Sequence, residues 1–159
     1  VIEFVAVLPG SERIAVVREM FLECQREIGV DLCFQGFEEE VSALPGKYGP
    51  PRGSLLLVLD GERPVACGAL RDLGGGICEL KRIYVRPEAR RKGLAREISL
   101  RLLEFALANG YLTARLDTMQ RLTGAVELYR DLGFDFIEPY NFNPEPDIVY
   151  MEKNLMADG

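Results

Sequence analysis

Apolar positions recur along the chain with two different periods, and the switches between them predict the elements. Val1 to Leu8 alternates loosely, as a strand does. From Ser11 to Ile28 the spacing changes: Ile14, Val17, Phe21, Cys24 and Ile28 share one helix face, with Ser11 placed to cap it. Phe37 to Leu44 reads as a short second helix stopped by Pro45, and Lys47 to Gly53 as a loop of turn formers. Ser54 to Leu59, Pro64 to Leu70 and Ile77 to Val85 follow as strands, separated by Asp60-Gly61 and by Gly74-Gly75-Gly76. Together they predict an antiparallel meander. Lys92 to Asn109 carries the clearest helical stripe, Leu94, Ile98, Leu102 and Phe105, and Gly110 ends it. Leu112 to Leu116 reads as a strand and Thr123 to Leu132 as a helix closed by Gly133. Phe134 to Ile137 and Ile148 to Glu152 are the last strands, with a Pro- and Asn-rich loop, Pro139 to Asp147, between them.

This order predicts one α/β (α+β) domain over residues 1–159, built on a mixed sheet. The strand–helix–strand unit from Ile77 to Leu116 places two strands parallel, joined by a right-handed crossover. Within Ile77 to Val85 the apolar parity flips: Leu80 is even, Ile83 and Val85 are odd. One extra residue, a β-bulge near Lys81 or Arg82, restores a continuous buried face. A strand buried on both faces would need no bulge.

Composition removes several kinds of chemistry. The chain has no histidine, so Ser-His-Asp and Cys-His triads and the usual zinc sites are out of reach. A general base must then be a carboxylate, a tyrosine, a lysine, the chain terminus or a water. Four cysteines, Cys24, Cys33, Cys67 and Cys78, show no CxxC spacing. They read as small buried hydrophobes in a reducing compartment rather than a disulfide framework, and no metal is expected. A net charge of −6 argues against nucleic acid and is more at ease with a cationic small molecule. No run approaches a membrane span, so no membrane partner is expected. Val1 to Gly10 lacks the basic start and long apolar run of a signal peptide, which makes the cytoplasm the expected location.

The segment Arg90-Arg91-Lys92-Gly93-Leu94-Ala95 opens the long helix, with Arg96 in its first turn. Helix-initial N–H groups lack partners and that end of the dipole is positive, so cations gathered there oppose it. An anionic ligand, above all a pyrophosphate, removes the contradiction. Gly93 and Ala95 leave the backbone open to its approach.

These residues resemble the phosphate motif of the GNAT superfamily of acyl-CoA N-acyltransferases, Gln/Arg-x-x-Gly-x-Gly/Ala, met here by Arg90, Gly93 and Ala95 after a strand and before a helix. Leu80 to Ala95 is similar to the family's fourth strand and third helix. Ala125, Leu128, Tyr129, Gly133 and Phe134 are similar to its fourth helix and following strand. The element order agrees over nearly the whole chain, as in bacterial-type members. The resemblance implies a mostly antiparallel sheet of about seven strands flanked by about four helices, with a splayed parallel pair.

It implies further that acetyl-CoA is the co-substrate and that its acetyl group passes directly to a primary amine: a small amine, an amino acid or a peptide. A non-catalytic acyl-CoA-binding or regulatory module, and a protein lysine or N-terminal acetyltransferase, are the competing readings. A homodimer is compatible with all three. On the resemblance, the backbone of Ile83 and Val85, with Tyr84 between them, binds pantetheine. Arg90, Arg91, Lys92, Gly93, Leu94, Ala95 and Arg96 form the pyrophosphate site. Tyr129 is the acid that protonates the leaving thiolate, and Glu79 is the base, acting through water. Where many relatives carry an Asn at the start of the fourth helix this chain has Leu122, and Thr118 or Thr123 is the substitute contact, near Ala125. Acceptor contacts fall to Phe34, Gln35, Tyr140 and Asn141. Glu38, Glu39 and Glu40 read as a solvated helix start that also suits a cationic amine.

Overall fold

A computed structural model describes residues 1–29 and 36–156. Seven strands form one sheet: β1 (Ile2–Ala6), β2 (Ser54–Asp60), β3 (Arg63–Gly74), β4 (Ile77–Val85), β5 (Thr113–Met119), β6 (Asp135–Ile137) and β7 (Ile148–Asn154). Their order across the sheet is β1-β2-β3-β4-β5-β7-β6. Four helices flank it: α1 (Ile14–Ile28), α2 (Phe37–Ser42), α3 (Leu94–Ala108) and α4 (Thr123–Asp131). Neighbouring strands are antiparallel except β4 and β5, which run parallel because α3 carries the chain back across the sheet.

Strand alternation divides the core in two. Even-numbered Leu70, Cys78, Leu80, Ala114 and Leu116 face α3 and α4, where they meet Ile98, Leu102, Ala106 and Tyr129. Odd-numbered Leu55, Leu57, Leu59, Cys67 and Ala69 face α1 and α2, where they meet Val17, Met20, Phe21, Phe37 and Val41. Each fully buried Leu or Phe stabilises the fold by about 1.5–3 kcal/mol relative to exposure, so both layers are held from within.

The predicted bulge is present. Cys67 pairs with Tyr84 and Ala69 with Lys81, so Gly68 alone opposes Arg82 and Ile83. Arg82 takes a φ of 57°, the left-handed region that only a well-braced non-glycine residue occupies. The parity switch follows. Leu80 packs on the α3 face before the bulge and Ile83 and Val85 on the same face after it, while Tyr84 turns to the α1 face. Gly68 is glycine for space: a Cβ there would lie 2.4 Å from Ile98 Cγ2.

Several boundaries differ from those the sequence predicts. β5 runs on to Met119, three residues past Leu116, because β7 pairs with it to the end. α3 begins at Leu94, since Gly93 has a φ of 75° and caps the helix from outside. Ser11 does not cap α1; its Oγ accepts the Arg13 N–H in the turn before the helix. The first hairpin closes over Gly61 and Glu62, as Asp60 is still paired with Arg63.

Candidate active site

The parallel pairing of β4 with β5 covers only Ile77 with Thr113, Cys78 with Ala114, and Glu79 with Arg115. From Leu80 onward the two strands part, because the bulge at Arg82 re-aims β4 while β5 stays with β7. A cavity of about 160 Å³ opens between them. It passes through the sheet and has two chemically different ends. Leu80, Ile83, Leu116, Ala125 and Tyr129 belong to the apolar layer under α3 and α4. Cys24 and Ile28 of α1 belong to the other layer, and Lys81, Arg82 and Asp117 bring charge to the same cavity.

The open edge of β4 leads out of this cavity toward α3. The Arg86 N–H donates to Val65 of β3, so by strand alternation the backbone groups of Val85 and Ile83 face the other, unpaired edge. Arg90 marks that edge: its Nε donates to the Val85 carbonyl at 2.9 Å, and its guanidinium pairs with Glu27 at 2.6 Å. Arg90 thus braces the edge rather than sitting over the helix end. The helix end itself is rich in donors. The first backbone bond of α3 runs from Glu97 N–H to the Gly93 carbonyl, which leaves the amides of Leu94, Ala95 and Arg96 without acceptors among the described residues. Arg91, at a φ of 65°, Lys92 and Arg96 adjoin those amides in the chain, and none of the three has an ion-pair partner among the described residues. A Cβ at Gly93 would meet nothing within 4 Å, so its positive φ, not crowding, requires glycine.

Tyr129 reaches the cavity from α4. Its ring packs edge-on against Phe134, 5.9 Å between centroids, and its hydroxyl has no hydrogen-bond partner among the described residues. Burial, then the nearby Cys24 and Asp117, pushes its pKa well above the ordinary phenol value. Leu122 stands at the N-cap of α4 and makes no side-chain cap, but it lines the cavity. Thr118 and Ala125 line it as well; Thr123, exposed in the first turn of α4, does not.

The face toward α1 and α2 holds a set of buried ion pairs. Glu79 is 0 % exposed; Arg71 Nε donates to one of its oxygens at 2.7 Å and the Tyr140 hydroxyl to the other at 2.6 Å. Burial would raise the Glu79 pKa, but Lys81, the Tyr140 hydrogen bond and Arg71 together hold it below the ordinary value. Tyr84 does not turn its side chain to the open edge; its hydroxyl donates to Glu23 at 3.3 Å. Glu40 is not solvated: Arg82 binds it through two nitrogens, at 2.8 and 3.1 Å, and Lys47 at 3.2 Å. Asn141 accepts the Tyr150 hydroxyl at 2.8 Å and lies off the cavity, which is lined from the same loop by Asn143 and Glu145. Phe34 and Gln35 lie outside the described residues.

Lys81 and Asp117 carry no chemical signal in the sequence pattern. Lys81 Nζ lies 3.8 Å from Asp117 Oδ2; Lys81 is buried, and so is that oxygen of the partly buried Asp117. The predicted strand stops at Leu116, one residue short of Asp117; extending the alternation of Ala114, Arg115 and Leu116 by one residue puts it beside Lys81.

Comparison with known proteins gives the site a context. The sequence pattern of the acetyltransferase (GNAT) family matches residues 14–134. An uncharacterised N-acetyltransferase of Schizosaccharomyces pombe is 40 % identical over 135 residues, covering 84 % of this chain and 83 % of its own. Among solved structures, a GNAT-family acetyltransferase of Staphylococcus aureus superposes with a TM-score of 0.81, at 17 % identity, over 98 % of this chain and 99 % of that one. The PaiA N-acetyltransferase of Thermoplasma acidophilum, in complex with coenzyme A, superposes with a TM-score of 0.73, at 16 % identity, over 97 % and 99 %.

Proposed function

The chain belongs to the GNAT family of acetyltransferases, and we propose that it transfers the acetyl group of acetyl-CoA directly to a primary amine. One observation carries this reading. The edge of β4 that β5 leaves open runs from the cavity holding Tyr129 to the start of α3, whose first amides and cations have no partner among the described residues. A long ligand with a pyrophosphate at one end and a reactive group at the other fits that line. Coenzyme A has this form, and the structural neighbour from Thermoplasma acidophilum holds it.

Leu94, Ala95 and Arg96 supply backbone donors to the pyrophosphate, and Arg91, Lys92 and Arg96 supply charge. The Ile83 and Val85 backbone receives pantetheine along the open edge, as a neighbouring strand would, with Arg90 holding Val85 in place. Thr118 and Ala125 bound the thioester end.

Tyr129 is the acid. A thiol has a pKa of about 8.5 and a free tyrosine about 10, and burial moves Tyr129 higher still. It therefore enters the reaction with its proton, has no competing acceptor for it among the described residues, and gives it to the departing sulfur. Cys24 lines the cavity but does not suit a covalent route: burial pushes its thiol up to about 11, so it stays protonated at neutral pH. Direct attack by the amine remains. Glu79, closed in by Arg71 and Tyr140, acts on this face as a retained negative charge and positions Tyr140 at its edge.

Thiol release from acetyl-CoA, followed against a panel of amines, amino acids and peptides, tests the reading. Turnover is expected with at least one primary amine. Tight coenzyme A binding with no turnover on any of them overturns it in favour of a binding module.

A further inference from the structure

On the reading of the chain as an amine acetyltransferase, some group must take a proton from the acceptor, since an alkylammonium with a pKa of about 10 is not a nucleophile at neutral pH. The partly and fully buried carboxylates between the sheet and α1 and α2, and beside the cavity, differ in what they have to offer. Glu79 has both oxygens engaged and no exposed surface. Glu40 has both engaged by Arg82, with Lys47 added. Glu23 is held by Arg86 and Tyr84. Asp117 is unlike all three. Its Oδ2 is buried and accepts no hydrogen bond among the described residues. The cation paired with it, Lys81 Nζ, stands 3.8 Å away, inside ion-pair range but too far for a good hydrogen bond.

A buried carboxylate oxygen left in this state costs free energy, and native structures rarely leave such atoms unexplained. The cost falls where a ligand would enter. Asp117 lines the same cavity as Tyr129, at the point where β4 and β5 part. We propose that Asp117 is the catalytic residue that meets the acceptor: its Oδ2 accepts a hydrogen bond from the primary ammonium of the substrate and then takes its proton.

The step balances without any further reactant. One ammonium proton passes to Asp117 Oδ2, and the nitrogen lone pair forms the C–N bond at the thioester carbonyl. The C–S bond breaks with its electron pair on sulfur, which takes the Tyr129 proton. The second proton shed by nitrogen restores Tyr129, and Asp117 releases its own to solvent. Burial favours the neutral carboxyl and so raises Asp117's affinity for a proton, bringing it nearer the working pH than an exposed aspartate would be. The groups that set that field are Lys81, Glu79 and Arg82 on β4 and Arg71 on β3. Tyr129 on α4 and Tyr140 and Tyr150 at the end of the chain also sense it, and Glu145 shares the cavity.

Asp117→Asn tests the assignment, with acetyl-CoA affinity measured beside kcat/KM for the best amine as a function of pH. Affinity should stay within about twofold of wild type, and kcat/KM at neutral pH should fall by about 10²-fold or more, the usual range for a lost general base. The residual rate should climb tenfold per pH unit up to the amine pKa as free amine accumulates, in place of the wild-type profile, which levels off once Asp117 is ionised. A variant that keeps the wild-type rate and profile overturns the proposal alone. A wild type that binds acetyl-CoA but releases no thiol with any amine overturns the acetyl-transfer reading, and this assignment with it. Should Asp117→Asn fail to bind acetyl-CoA, Lys81→Met decides. Loss of that positive charge should move the acidic limb to higher pH; a limb that stays in place overturns the proposal.

Discussion

Arg82 Nε lies 2.8 Å from Glu40 Oε2, and the second nitrogen of the same guanidinium lies 3.1 Å from Oε1. The bulged residue of β4, with its left-handed backbone, is therefore clamped by α2 from across the sheet face. The splay of β4 from β5 depends on that bulge, so the pair links helix packing to the shape of the cavity. Breaking it from one side leaves a buried charge uncompensated. Glu40→Gln should cost about 3–5 kcal/mol in urea unfolding at neutral pH. The pH dependence has a definite sign. Burial would raise the Glu40 pKa, but the Arg82 hydrogen bond and the charges of Arg82 and Lys47 bring it below its ordinary 4.5. A carboxylate depressed on folding adds stability that is fully present above its unfolded value. Wild-type stability should thus begin to fall near pH 4.5 and go on falling as pH drops through the folded value; Glu40→Gln should flatten part of that decline.

Much of this arrangement was legible in the sequence because it obeys local periodicity. The flip of apolar parity between Leu80 and Ile83 located the bulge, and Arg90 to Ala95 located the helix end, since both follow from alternation and from helix-end electrostatics. What was not legible depends on contacts distant in sequence. Glu40 reads as one of three solvated acids until Arg82, 42 residues away, is seen to reach it. Asp117 reads as a residue beyond a strand until β7 is seen to extend that strand. Arg90 matched a phosphate motif by position, yet its guanidinium binds Glu27 and the Val85 carbonyl, a pairing that only the packing of α1 on β4 creates.

Tyr129→Phe separates chemistry from binding. The hydroxyl has no hydrogen-bond partner among the described residues, so its removal should leave the unfolding midpoint nearly unchanged. If it protonates the leaving sulfur, kcat should fall by about 10²-fold, the scale of a lost general acid. Acetyl-CoA affinity by calorimetry should hold. Unchanged turnover would remove Tyr129 from the mechanism.

Gly93 offers two substitutions with different readouts. Gly93→Ala introduces a Cβ that meets nothing, but at a φ of 75° it should cost stability by about 1–2 kcal/mol. Gly93→Glu adds a negative charge beside the free amides of α3 as well. Coenzyme A affinity should drop by at least about tenfold beyond the alanine effect, corresponding to about 1.4 kcal/mol. Equal affinities for the two variants would misplace the pyrophosphate.

Tyr140→Phe asks what holds Glu79 ionised. The hydroxyl donates at 2.6 Å to a carboxylate with no exposed surface. Hydrogen bonds to buried charges contribute about 1.5–3 kcal/mol, and a loss of that size is expected in urea unfolding at neutral pH. The Glu79 pKa, followed by carboxyl carbon chemical shift, should move up toward its ordinary value, because burial is then opposed only by Lys81 and Arg71.

Gly68 is the position where the bulge and α3 compete for space. A Cβ there would stand 2.4 Å from Ile98 Cγ2 and 3.3 Å from Ile83 Cγ1. Ile98 is fully buried and cannot swing aside, so Gly68→Ala should push α3 outward and cost about 1–3 kcal/mol. Because α3 carries the free amides and Ile83 the open edge, acetyl-CoA affinity should weaken in parallel with stability. Ile98→Ala removes the clashing methyl. The double variant should be less destabilised than the two single changes summed, by about 1 kcal/mol or more, as expected for side chains in contact. Strict additivity would mean that the Gly68 backbone tolerates a side chain and that something other than α3 sets the course of β4 past the bulge.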